Sequence, residues 1–101
     1  MQVLIRTKNF SVTQGLQQLI QTEAEKLDKV AWKILRVEAF LEVSKKQARA
    51  LIVAVRAGKD IVVEERTGDI HQAVALALEK TQRALRKNRE KRLSMRRQVA
   101  M

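Results

Sequence analysis

The chain has no cysteine, no proline and no tyrosine, and only one histidine, one tryptophan and three glycines among 101 residues. Without cysteine there can be no disulfide, thiolate metal site or cysteine nucleophile. The single histidine, His71, leaves no second imidazole for a metal pair. No GxGxxG or Walker loop is present to cradle a phosphate. Aromatic residues make up 3% of the chain, so a surface reading bases by stacking on many rings is not expected. No apolar run approaches the ~20 residues that cross a bilayer. The opening stretch MQVLIRTKNF carries Arg6 and lacks the apolar core of a secretory signal. The expectation is a soluble cytoplasmic protein with no catalytic seat, no cofactor and no small-molecule substrate.

What is present is enough apolar material for one core, 46% of residues, and a large excess of positive charge, net +10. That charge is unevenly placed. Residues 1–79 hold 12 Lys/Arg against 10 Asp/Glu, whereas residues 80–101 hold 9 against one, Glu90. A nearly neutral body with one strongly basic end points to a polyanion met by a particular surface.

Hydrophobic periodicity supplies the elements. QVLIRT, from Gln2 to Thr7, reads as a short strand. Leu16, Leu19, Ile20, Ala24 and Leu27 recur at helical spacing and predict a helix over about Gln14–Lys29. Either a Ser11–Gln14 capping box or Thr13 would begin it. In ILRVEAFLEV, Leu35, Val37, Ala39, Leu41 and Val43 alternate with Arg36, Glu38, Phe40 and Glu42, the mark of a half-buried strand. Phe40 would then be exposed or at an edge. ARALIVAVRA and IVVEER follow across the polar turns SKKQ and GKD, completing an antiparallel meander. Trp32, in the loop after the first helix, is expected to plug the core edge. Asp69 suits the N-cap of a last helix that no glycine or proline interrupts as far as Leu93. The order β-α-β-β-β-α predicts an α+β fold: a two-layer sandwich, four strands with two helices on one face.

Projected along its axis, the last helix sorts its residues. Ile70, Val74, Ala77, Leu78, Thr81 and Leu85 form one side, and Lys80, Arg83, Lys87 and Lys91 another, with Arg86 widening the basic stripe. A solvated helix end with cations complementing the macrodipole is the plain alternative. Nine cations over 22 residues exceed what that requires. A membrane-surface helix would carry Trp, Phe or Leu opposite its cations, and beyond Leu85 that complement is thin. Folded or double-stranded RNA, met through its phosphates, fits better. Lys26 and Lys29, ending the first helix, could extend the stripe. Lys45, Lys46 and Arg49 crowd the turn between the second and third strands. His71 reads as a partly exposed helix-start residue. Glu64 and Glu65 point to opposite faces of a strand and are no catalytic dyad.

GDIHQAVALALEKTQRALRKNREK resembles the closing helix of the ribosome hibernation promoting factor family, also called ribosome-associated inhibitor A or sigma factor modulation proteins. That family shows Asp-Met-Tyr-x-Ala-Ile-Asp and then Lys-Leu-x-Arg-Gln-Leu-x-Lys. Asp69, Ile70, Ala73 and Val74 stand in the opening; Lys80, Arg83, Leu85, Arg86 and Lys87 follow in register, and Arg89-Glu90-Lys91 matches the usual ending. The first strand, the Asn9–Thr13 helix start and a helix ending Lys-x-Leu agree as well. His71 and Ala75 replace the family's tyrosine and aspartate, and Thr81 and Ala84 its leucine and glutamine. The likeness is to the short class. It implies a ribosome-binding domain over 1–91 with a basic C-terminal tail over 92–101. It also implies a partner, the small ribosomal subunit and its rRNA, bound in the mRNA and tRNA channel so that translation stops in stationary phase or stress. Lys80, Arg83, Arg86, Lys87, Arg89, Lys91, Lys26 and Lys29 would touch rRNA, and the protein would be a monomer off the ribosome. A double-stranded RNA-binding module, or a regulator with an acidic protein partner, are the alternatives.

Overall fold

The computed structural model describes residues 2–30 and 34–99, except for the side chains of residues 30 and 88–99. The elements run β1 (Gln2–Lys8), α1 (Gln14–Val30), β2 (Ile34–Val43), β3 (Ala48–Arg56), β4 (Ile61–Thr67) and α2 (Ile70–Val99). This is the expected β-α-β-β-β-α order, with α1 one residue longer than its periodicity predicts. Trp32 and its expected role lie outside the described residues.

The sheet order is β1-β2-β3-β4. β2, β3 and β4 pair antiparallel through short turns, while β1 lies parallel to β2, with Val3 opposite Val37 and Ile5 opposite Ala39. A parallel pair needs a long crossover, and α1 supplies it, carrying the chain back over the sheet. Two positive-φ residues serve the turns. Asn9 at φ 68° ends β1, where an asparagine tolerates the left-handed region, and Gly58 at φ 106° turns β3 into β4.

Both helices cover the same face. Leu16, Ile20, Ala24 and Leu27 of α1, Ala73, Val74, Ala77, Leu78 and Leu85 of α2, and Val37, Ala39, Leu41, Ala50 and Ile52 of the sheet make one core cluster. The alanines of β3 keep the sheet surface low, so α2 approaches closely above β3 and β4. Thr81 is fully buried on the same stripe, and its hydroxyl donates to the Ala77 carbonyl at 2.7 Å.

Each helix starts on a side-chain cap. The Thr13 hydroxyl accepts from the Leu16 N–H at 3.1 Å, so Thr13 and not the Ser11–Gln14 pair begins α1. Asp69 caps α2, its carboxylate accepting from the His71 N–H at 3.3 Å.

One residue departs from the strand pattern. Leu35, expected on the core face, is 58% exposed. The β2–β3 register slips between Ile34 and Arg36, so two residues of β2 oppose one step of β3. The bulge lets Ile34 take the buried position and turns Leu35 outward.

Leu85 is the last buried residue of α2 among those described, yet the helix continues to Val99. Thirty residues make a rod of roughly 45 Å, which accounts for the 56 Å long axis of a molecule otherwise 24 by 19 Å.

Candidate nucleic-acid interface

The burial of Ala73, Val74, Ala77, Leu78, Thr81 and Leu85 fixes the rotation of α2. Lys80, Arg83, Arg86 and Lys87 are all exposed as a result. Arg83 lies nearly opposite the buried stripe, with Lys80 and Lys87 on one flank of it and Arg86 on the other. The side chains of Arg89 and Lys91 fall outside the described residues.

These cations do not stand in equal surroundings. Lys80 forms an ion pair with Glu65 of β4, whose side chain is only 16% exposed. Arg83 pairs with Glu79 one turn back on its own helix. Arg86 and Lys87 have no ion-pair partner among the described residues. On α1, Lys26 pairs with Glu23 at 3.0 Å, and Lys29 is exposed with no such partner among the described residues.

The basic residues also divide between two flanks. Lys80 reaches Glu65, so the stripe begins on the side of α2 that faces β4. α1 lies on the other flank, over β1 and β2. Lys26 and Lys29 therefore sit on α1, on the flank of α2 away from β4. Alternate residues of β4 are the less exposed ones, so Glu65 lies on the helix-facing row with Ile61 and Val63. A carboxylate in an apolar row calls for a cation from the helix above, and Lys80 supplies it.

The sheet's other face carries charge that the helical reading left aside. Glu64 of β4 accepts from Arg49 of β3 at 3.0 Å and from Arg66 at 2.8 Å. Those two bonds hold the Glu64 carboxyl below the ordinary carboxylate range, and the same bond from Glu64 raises Arg49. Lys8 lies 3.8 Å from Glu42 across β1 and β2, and Arg36 pairs with Glu38 at 2.9 Å. His71 is exposed at the start of α2, near Asp69. Among the described residues no three potential metal ligands cluster. No described helix is long and apolar enough to cross a membrane. The arrangement offers charge and shape for binding.

A profile of the sigma 54 modulation protein / S30EA ribosomal protein family matches residues 3–93. The chain belongs to that family.

Its members are the ribosome-hibernation proteins that the closing helix resembles. Two solved structures share the fold. The N-terminal domain of Protein Y from Thermus thermophilus superposes with a TM-score of 0.74 at 24% identity, over 84% of this chain and 93% of that one. A ribosomal subunit interface protein from Coxiella burnetii gives 0.77 at 15% identity, over 89% and 99%. Among curated protein sequences no match is found. The family match takes in all four strands, α1 and α2 as far as residue 93, six residues short of the helix end.

Proposed function

We propose that this chain is a ribosome hibernation factor that stops translation by occupying the mRNA and tRNA channel of the small ribosomal subunit. It acts there as a rigid wedge held by rRNA phosphates, with no catalytic step, and works in the cytoplasm as a monomer until it meets a ribosome. Family membership over residues 3–93 carries this reading.

The physical support lies in α2. Arg83, Arg86 and Lys87 project away from the core, so phosphates can approach without disturbing packing. Arg89 and Lys91 continue the positive sequence, and residues 92–101 add Arg92, Arg96 and Arg97. Each phosphate neutralised releases condensed counterions, so binding should be strong at low salt and steeply weakened by salt. Lys26 and Lys29 on α1 would serve a second, smaller contact area, and Lys80 a contact shared with Glu65.

Sedimentation tests the reading. The purified chain should migrate with small subunits and whole ribosomes at about 50 mM salt and come off progressively by about 200 mM. Binding to free RNA duplex with no preference for ribosomes would favour a general double-stranded RNA module. Binding to neither would leave a regulator with an acidic protein partner.

A further inference from the structure

The helices cover one face of the sheet and leave the other open. On that open face the register sets Arg6 beside Phe40 and Phe40 beside Leu51; one step along, Lys8 stands beside Glu42 and Glu42 beside Arg49. A concavity of about 250 Å³ lies here, lined by Arg6, Thr7, Lys8, Phe40, Glu42 and Arg49 among others. Phe40 brings an aromatic ring to its lining, and Arg6, Lys8 and Arg49 bring three cations.

We propose that this concavity is a second RNA site, which takes one base of a single strand against Phe40 and its flanking phosphates on Arg6 and Lys8. Charge selects the occupant. Arg6, Lys8 and Arg49 outnumber Glu42 in the concavity, and Arg6 forms no ion pair among the described residues. With Glu64 and Arg66 beside it included, four cations face two carboxylates. Phe40 is partly exposed and sits among the half-buried Leu4, Leu51 and Val53, a flat apolar setting for the face of a base. Neighbouring strands are ~4.8 Å apart and alternate residues roughly 6.6 Å, so Arg6 and Lys8 lie within side-chain reach of a phosphate beside a base stacked on the ring. Stacking on one aromatic ring with cations tracking the backbone is how single strands are held without a deep groove.

Glu42 gives the site its preference. Its carboxylate faces the same concavity and lies 3.8 Å from the Lys8 ammonium. A carboxylate accepts hydrogen bonds and cannot donate them; it meets the N4 amino group of cytosine freely, whereas the single N3–H of uracil lies between two carbonyl oxygens that repel it. Cytidine over uridine is the expected order.

The test is an NMR titration of the full chain with hexacytidylate and hexauridylate at low salt. Amide shifts should centre on Arg6, Phe40 and Arg49, and the cytidine oligomer should bind severalfold tighter. Phe40→Leu keeps most of the apolar area and removes the ring, and should weaken binding at least about fivefold. Arg6→Gln should weaken it too, and Glu42→Gln should narrow the cytidine preference. Both positions face solvent, and an unchanged melt would show that the fold is intact. Neutralising Arg86 and Lys87 should leave hexamer binding unaltered while weakening ribosome sedimentation, which separates failure of this site from failure of the ribosomal reading. Shifts confined to α2, full binding by Phe40→Leu, or a sheet face covered by a second copy at working concentration would each overturn the proposal.

Discussion

Consider two double variants of α2, Lys80→Gln/Arg83→Gln and Arg86→Gln/Lys87→Gln. Each removes two positive charges from exposed positions on the same helix, so charge counting predicts equal losses. The structure predicts unequal ones. For each phosphate contact, log K falls by about 0.7–0.9 per log unit of salt; near 0.1 M this is roughly sixfold in affinity, or about 25- to 60-fold for two contacts. Arg86 and Lys87 should deliver that whole loss, because no described acid holds them. Lys80 and Arg83 must first leave Glu65 and Glu79. An exposed pair contributes up to ~1 kcal/mol, which offsets up to about fivefold of each gain. Their removal should therefore cost ribosome binding only a few-fold. Stability should show the opposite order. Glu65 is mostly covered, and losing Lys80 leaves its carboxylate without a partner, a cost of about 1 kcal/mol. For a domain of this size that lowers Tm by roughly 4–8 °C. The assays are co-sedimentation with small subunits across a salt series and a thermal melt of each variant. Equal binding losses, or a larger melting shift for Arg86→Gln/Lys87→Gln, would refute the division of labour.

Two further outcomes test the fold. Leu41→Ala, at a position 2% exposed, should cost about 3 kcal/mol, whereas Leu35→Ala, at the bulge, should cost under about 0.5 kcal/mol; urea unfolding of the two compares them directly. Glu64 has its folded pKa lowered by Arg49 and Arg66, so its contribution to stability is present above the ordinary carboxylate range and fades as pH falls through the lowered value. Glu64→Gln should accordingly flatten the acid end of the stability profile, lowering stability slightly at neutral pH and leaving it unchanged in acid; an identical acid slope in parent and variant would contradict this.

Helical stripes were the most readable part of the sequence. Leu16, Ile20, Ala24 and Leu27, and later Val74, Ala77, Leu78 and Leu85, are buried as their spacing requires, because a two-layer domain gives each helix only one side to hide. Asp69 as a cap was equally visible, since capping is decided within three residues. Leu35 was not. Strict alternation assigns it to the core, and a bulge depends on how β3 meets β2, which no local pattern encodes. The same holds for the candidate interface. Exposure of Lys80, Arg83, Arg86 and Lys87 follows from the helical period, but the Lys80–Glu65 pair joins residues brought together only by α2 crossing β4. Sequence locates the cations; the tertiary fold decides which of them have a prior partner.

The sheet ends on β1 at one side and β4 at the other, and each outer strand has an unpaired row of backbone donors and acceptors. Arg6 and Lys8 mark the first, and Glu64, Glu65 and Arg66 the second. A stray strand trying to add to either border would have to desolvate those side chains. Charged borders of this kind oppose edge-to-edge pairing between folded copies.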